Sequence, residues 1–127
     1  MIKNFLIINC TGKNRLIGLK INNNFFIKEL QTKIESKDTL VSNILRFIKK
    51  NNAVIDEKFS VIVNTGPGSF SAIRASLSIA KGIKIAKGAM IYGYQDSHLA
   101  KFDLKNIEFL IKKNLLENKL IKPVYIS

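Results

Sequence analysis

A glycine-rich turn is the part of this sequence best suited to chemistry. It reads Asn64-Thr65-Gly66-Pro67-Gly68-Ser69-Phe70 and lies between a short apolar run and a long helical pattern. Backbone N–H groups at the start of a helix can hold an anion, because the positive end of the helix dipole lies behind them. The candidate anion or nucleotide loop consists of Gly66, Pro67, Gly68 and Ser69. Glycines also serve tight strand-to-helix connections that bind nothing, and the spacing alone leaves both interpretations open.

The remaining reactive side chains do not form a catalytic group. The loop is not a P-loop, since no Gly-Lys-Ser/Thr follows it, and Ser71 stands where a dinucleotide fingerprint has its third glycine. The chain has one histidine, His98, and one cysteine, Cys10, so its histidine and cysteine residues cannot build a zinc cluster. Nothing in the sequence ties His98 to the serines of the loop. We therefore expect no catalytic residues and no metal ligands.

The charge of the chain has two explanations. The net charge is +12, and 18 of the 21 basic residues are lysine. The sequence also holds 20 Ile and 13 Asn, and all three residue types have codons rich in A and T, so compositional drift alone can raise the charge. Phosphate-binding surfaces tend to recruit arginine. A solvated basic surface is therefore favoured over RNA contact.

With no signal peptide and no apolar stretch of ~20 residues, we expect a cytoplasmic protein that has no contact with a membrane.

The elements that must position the loop follow from hydrophobic periodicity. The predicted order is strands at 5–8, 16–21 and 25–34, a helix at 37–50, a strand at 59–63, a helix at 70–87, a strand at 90–92, a weak helical segment at 96–102 and a last helix at 103–120. Three antiparallel strands followed by alternating helices and strands predict the α/β class. This order is that of a single ribonuclease H-like lobe, as in actin-like ATPases, with a mixed sheet and helices on both faces.

The helix after the loop has a face of small residues. Gly82 lies in the middle of this helix, where glycine costs about 1 kcal/mol relative to alanine, so it calls for a packing reason. Small side chains let another helix approach closely. That second helix is either the first helix of this chain or a helix of another subunit, and the sequence leaves both open.

Three motifs together resemble the TsaB family, the bacterial partner of the TsaD enzyme in tRNA threonylcarbamoyladenosine synthesis. The residues Gly66-Pro67-Gly68-Ser69-Phe70-Ser71-Ala72-Ile73-Arg74 and then Ala80-Lys81-Gly82 are similar to its signature GPGSFTGLR and AKG. Near the N-terminus, Ile8-Asn9-Cys10-Thr11 stands where that family has Ile-Asp-Thr-Ser, and Pro123-Val124-Tyr125-Ile126 resembles its closing Pro-x-Tyr-Leu. Family members have two actin-like lobes, so the resemblance implies one domain over 1–127 that lacks the second lobe.

The resemblance implies a noncatalytic scaffold whose helices dock on a TsaD-like catalytic subunit. The implied docking residues are Leu40, Ile44, Ala72, Arg74, Ala75, Ser76, Ile79 and Gly82. Further expectations are a TsaE-like ATPase as an additional partner, indirect contact with tRNA, and a homodimer through the same helices as an alternative assembly. Because Asn9 replaces an aspartate that helps hold metal and phosphates in actin-like ATPases, we expect no cofactor on the isolated chain, with ATP or ADP confined to a partner interface.

Two other functions remain open at this point. The stronger rival is a lobe that binds RNA or nucleotide directly through its basic surface and its glycine-rich loop. An ATPase or peptidase is disfavoured by Asn9 and by the missing ligands.

Overall fold

Five strands and three helices follow one another in the predicted order. The computed structural model describes residues 2–11, 15–30 and 37–117. The elements are β1 (Phe5–Asn9), β2 (Leu16–Ile21), β3 (Asn24–Glu29), α1 (Lys37–Lys50), β4 (Ser60–Asn64), α2 (Phe70–Lys87), β5 (Met90–Tyr94), a short 3-10 turn (Asp96–His98) and α3 (Leu104–Lys112). The α/β class and the ribonuclease H-like order are confirmed.

The strands form one mixed sheet in the order β3-β2-β1-β4-β5. The first three strands are an antiparallel meander, and β4 and β5 run parallel to β1. In register, Ile7 of β1 lies opposite Gly18 of β2 and Ile62 of β4. This arrangement brings the carboxyl ends of β1, β4 and β5 to the same edge of the sheet.

Helices cover both faces of the sheet, and β1 explains why. Leu6 and Ile8 of β1 belong to a core with α1 and α2, whereas Phe5 and Ile7 belong to a second core with α3. All four side chains are buried. A strand covered on both faces has no polar side to alternate with, which is why it appears in the sequence as a continuous apolar run.

The two long helices end where the sequence predicts. At the end of α2, Gly88 has a φ of 76°, in the left-handed region that glycine adopts without steric cost, and its N–H donates to the carbonyl of Lys84 at 2.8 Å. At the end of α1, the chain turns through Asn52, whose φ is 54°. Asparagine tolerates this conformation better than most residues.

Three predicted boundaries differ from the structure. The third strand ends at Glu29, and the rest of the strand expected to reach residue 34 lies outside the described residues. The segment at 96–102 contains only the 3-10 turn. The last helix ends at Lys112 rather than at 120, because the chain turns through Asn114, whose φ is 55°, and Glu117 then pairs with Gly93 of β5. The expected closing motif at 123–126 also lies outside the described residues.

Two features are absent from the part of the chain that the structure describes. None of its helices has the length and apolar character needed to cross a membrane. Within 2–11, 15–30 and 37–117, no three histidine, cysteine, aspartate or glutamate side chains lie close enough together to hold a metal ion.

Helix α3 depends on a capping residue that can be tested directly. The Asp103 carboxylate accepts a hydrogen bond from the N–H of Asn106 at 2.8 Å. We expect Asp103→Ala to lower the free energy of unfolding by about 1 kcal/mol in urea denaturation, because that N–H loses its partner. Lys105→Ala, at an exposed position of the same helix, is the control and should change stability by less than about 0.5 kcal/mol. Equal losses in the two variants would contradict a capping role.

Candidate functional site

Polar side chains gather where the three parallel strands end. Asn9, Asn64 and Tyr94 are the last residues of β1, β4 and β5. Asp96 begins the turn that follows β5. Ligands of α/β proteins commonly bind beyond the carboxyl ends of the strands, so this edge is the natural place to look for a site.

The cluster is closed by hydrogen bonds among its own members. The Asn64 Nδ2 group donates to Asn9 Oδ1 at 2.6 Å and to Asp96 Oδ1 at 2.9 Å. The Asn64 Oδ1 atom accepts from the N–H of Gly66 at 2.9 Å. The Tyr94 hydroxyl donates to Asn9 Oδ1 at 3.2 Å. Asn9 Oδ1, the atom that corresponds to a metal-binding carboxylate oxygen in the resemblance, therefore already accepts two hydrogen bonds.

Tyr94 acts in this cluster as a neutral donor. Burial, followed by the negative charge of Asp96, raises the pKa of the Tyr94 hydroxyl well above its ordinary value. Because the phenol keeps its proton, it can donate to Asn9 at any physiological pH.

The glycine-rich loop packs against the segment after β1. The N–H of Ser69 donates to the carbonyl of Thr11 at 2.9 Å. A Cβ atom on Gly68 would clash with that same carbonyl oxygen, so the backbones approach too closely for any residue but glycine. Pro67 is exposed, and the Ser69 hydroxyl lies 3.4 Å from that of Ser71 without capping α2. The N–H groups of Gly66 and Ser69 thus already donate to acceptors within the chain.

Neither of the two reactive residue types that the sequence singles out lies in a reactive setting. Burial raises the pKa of the Cys10 thiol from 9.0 to about 12, so the thiol stays protonated at neutral pH. His98 is exposed in the turn after β5. The sequence analysis missed Asn64, Tyr94 and Asp96 as site residues. Asn64 directly follows the strand predicted at 59–63, and this position is a signal that could have identified it. Tyr94 and Asp96 lie two and four positions after the strand predicted at 90–92, because β5 extends to Tyr94.

Most of the implied docking residues lie inside this chain's own core. Arg74 and Gly82 are exposed. The buried ones are Leu40, Ile44, Ala72, Ala75, Ser76 and Ile79. Ser76, for example, is 1% exposed and donates to the carbonyl of Ala72. A bulky charge at Ser76 would therefore disrupt the fold itself, and docking has to be tested at exposed positions of the same helices.

An apolar groove of about 360 Å³ runs between the exposed sides of α1 and α2. Its lining comprises Val41, Ile44, Leu45, Ile48, Ile55, Ser78, Ile79, Gly82, Ile83, Ala86 and Lys87. Leu45 is 57% exposed beside it. A Cβ atom added to Gly82 would meet nothing within 4 Å, so no part of the described chain explains this glycine. Ala72, Ala75 and Ile79 of the small-residue face share a core with residues of α1, whereas α1 does not pack closely on Gly82.

The Asn64 side chain allows a test of how the polar cluster works. Asn64→Ala leaves the buried N–H of Gly66 without its acceptor and removes two hydrogen bonds from Asn9 and Asp96. We expect the free energy of unfolding to fall by about 3 kcal/mol in urea denaturation. Asn43→Ala, which removes a half-buried amide from α1, is the control and should cost less than about 0.5 kcal/mol. An unchanged stability of Asn64→Ala would show that the cluster does not hold the strand ends together.

Comparisons with known proteins give structural neighbours only. No protein-family model matches the chain, and no curated protein matches it in sequence. YeaZ (TsaB) from Pseudomonas aeruginosa superposes with a TM-score of 0.68 and 10% identity, over 88% of this chain and 50% of that chain. A second structure, described as an uncharacterized protein with similarity to peptidase YEAZ from Pseudomonas aeruginosa, gives 0.66 and 11% identity, over 76% of this chain and 45% of that one. The chain thus spans about half the length of these neighbours and shares their fold.

Proposed function

We propose that this chain is a noncatalytic scaffold subunit that docks on a TsaD-like catalytic subunit in the synthesis of tRNA threonylcarbamoyladenosine. Two independent lines support the proposal. The signature-like residues of the glycine-rich loop and α2 resemble those of the TsaB family, and the fold is that of YeaZ. In this proposal tRNA contacts the complex mainly through the partner, and a TsaE-like ATPase is a further partner.

The observation that carries the proposal is the open space over Gly82 on the surface of α2, which we call the notch. Glycine in a helix interior costs about 1 kcal/mol relative to alanine, and nothing in the described chain packs where its side chain would be. The notch lies in the apolar groove between α1 and α2. A helix of another protein can bring its backbone close to the backbone of α2 there. A docking site of this kind explains both the exposed apolar lining and the unfavourable glycine.

The polar edge of the sheet supports a noncatalytic role. Its amides and its tyrosine hydroxyl hydrogen-bond to one another, and Cys10 is a buried neutral thiol. A nucleophile needs a base within hydrogen-bond reach, and His98 makes no hydrogen bond of that kind to Ser69 or Ser71. The rival function as a direct nucleotide or RNA lobe has less support, since the loop's Gly66 and Ser69 N–H groups are already bonded within the chain.

Variants of Gly82 provide the test of docking. Gly82→Leu fills the notch with a helix-forming side chain at an exposed position, so the chain should fold normally while its affinity for the co-expressed TsaD-like subunit falls at least about tenfold. Gly82→Ala should raise the free energy of unfolding by about 1 kcal/mol, because its methyl group enters empty space. Size-exclusion chromatography and titration calorimetry measure the first effect, and urea denaturation measures the second.

Lys84→Leu is the matched control for this experiment. Lys84 is exposed on the same helix but lies two residues beyond Gly82, roughly half a turn round the axis, and does not line the groove. We expect this variant to bind the partner like the unaltered chain. The docking proposal fails if Gly82→Leu also binds normally, or if the unaltered chain and the TsaD-like subunit do not associate at all.

A second prediction concerns nucleotide. The residues at the strand ends do not fit a metal-bound nucleotide, because Asn9 carries no charge and its Oδ1 atom is already an acceptor for Asn64 and Tyr94. We expect ATP with Mg²⁺ to bind the isolated chain more weakly than about 1 mM in calorimetry. Inorganic triphosphate at the same concentration is the control for attraction to the basic surface. Micromolar binding of ATP but not of triphosphate would contradict the prediction, whereas a nucleotide held only in the complex is part of the proposal.

A further inference from the structure

A cavity of about 590 Å³ opens at the end of the sheet opposite the polar cluster. It lies on the face that α3 covers, where β4 begins at Ser60 and β5 begins at Met90. Its apolar lining consists of Ile2, Met90, Tyr92, Ile111 and Leu116. All of these except Met90 pack against the core beneath α3, and Met90 is 42% exposed. The cavity therefore extends this core to the surface of the molecule.

A buried hydroxyl group that needs a partner belongs to the same lining. Ser60 is 4% exposed, and its hydroxyl forms no hydrogen bond with any residue in the described part of the chain. Its backbone N–H, by contrast, donates to the carbonyl of Asn4 at 3.2 Å. Buried polar atoms are almost always hydrogen-bonded, because burial without a partner is costly. The Ser60 hydroxyl is therefore a group for which a molecule in the cavity can supply the partner.

Two lysines are the charged members of the lining. Lys58 precedes β4, Lys112 ends α3, and both side chains are exposed. The acidic residues near them in the sequence are Asp56, Glu57, Glu108 and Glu117. Within the described residues, none of these four carboxylates lines the cavity or forms an ion pair with either lysine. An anion in the cavity would thus meet two ammonium groups and no carboxylate in the lining.

We propose that this cavity binds a small amphipathic anion, which is an alkyl or aromatic body that ends in one carboxylate or phosphate group. The body lies on Met90, Tyr92 and the other apolar residues, while the anionic group accepts hydrogen bonds from Ser60 and the two lysines. Ligand sites typically combine an apolar lining with a few polar groups that fix the orientation of the ligand. Hydrogen bonds to an ionised group are stronger than those between neutral groups, so the anionic end decides which molecules bind. The inference does not depend on docking to a TsaD-like subunit.

The test compares four probes on the full chain by titration calorimetry. Octanoate and octyl phosphate carry both parts of the ligand, octanol has the body without the charge, and acetate has the charge without the body. We expect at least one of the two octyl anions to bind at least about tenfold more tightly than octanol, because charge-assisted hydrogen bonds are worth that factor. Acetate should bind at least about tenfold more weakly than octanoate, because it buries little apolar surface.

The stronger of the two octyl anions identifies the anionic group of the natural ligand. If octanol binds as tightly as both anions, the charge has no role and the inference is overturned. The same conclusion follows if acetate matches octanoate, or if neither octyl anion binds with a dissociation constant below about 5 mM.

Ser60→Ala tests the role of the buried hydroxyl. We expect this variant to bind the stronger anion about fivefold more weakly, because one hydrogen bond to a charged group is lost, and to bind octanol as before. Its free energy of unfolding should not fall, since the hydroxyl has no partner in the described chain. Ser78→Ala makes the same change at an exposed position of α2 and should alter neither affinity. An unchanged affinity of Ser60→Ala for the anion would contradict the proposed contact.

Two double variants separate the cavity from the overall charge of the chain. Lys58→Gln with Lys112→Gln should weaken binding of the stronger anion at least about fivefold, since each exposed charge pair contributes a few-fold. Lys49→Gln with Lys105→Gln removes the same net charge at exposed positions outside the cavity and should leave the affinity unchanged. If both double variants bind the anion equally well, general attraction to a basic protein explains the binding and the inference is wrong.

Gly82→Leu shows whether the anion lies instead in the groove between α1 and α2. The cavity and this groove have no lining residue in common, and α3 covers the opposite face of the sheet from α1 and α2. We therefore expect Gly82→Leu to bind the anion like the unaltered chain. Loss of binding in Gly82→Leu, with normal binding when Lys58 and Lys112 are replaced, would place the anion in the groove and overturn the inference.

Discussion

The side chain of Asn64 is the interaction on which the arrangement of this chain's functional edge depends. Asn64 is 1% exposed, and both polar atoms of its amide form hydrogen bonds. The nitrogen donates to Asn9 of β1 and to Asp96 after β5, and the oxygen accepts from the N–H of Gly66. Burying this amide without hydrogen-bond partners would cost more free energy than a hydrogen bond contributes to stability. The Asn64 side chain can therefore be buried only when the three strand ends and the loop come together.

The position of α2, and with it the groove, follows from that constraint. Gly66 is held by Asn64, and a few residues later the loop is held again where the N–H of Ser69 meets the carbonyl of Thr11. Because Gly68 has no side chain, the two backbones come close enough for this contact. The start of α2 is therefore fixed against β1 and β4 at once, and α2 then lies beside α1 along the whole groove. The glycine-rich loop at 66–69 thus fixes the start of α2, whereas Gly82 later in the same helix leaves an open surface.

Periodicity made most of the fold predictable from the sequence, and tertiary contacts account for what it could not give. The continuous apolar run of β1 and the amphipathic stripes of α1 and α3 report burial directly, so the element order and the two covered faces follow from them. The end of α3 depends instead on the left-handed backbone at Asn114 and on the pairing of Glu117 with Gly93. This pairing joins the chain to a strand more than twenty positions earlier, which local periodicity does not report. The polar cluster was missed for the same reason, since Asn9 and Asn64 become neighbours only when β1 and β4 pair.

The small residues of α2 illustrate a second limit of sequence analysis. Alanine and serine permit a close approach to whatever lies opposite, and Ala72 and Ser76 find that neighbour within their own core. Gly82 has the same pattern and spacing, yet the space over it is open. The sequence therefore identifies the face of small residues on α2. It does not show which of these residues pack inside the chain and which stay exposed, because that depends on how α2 is rotated about its axis against the sheet.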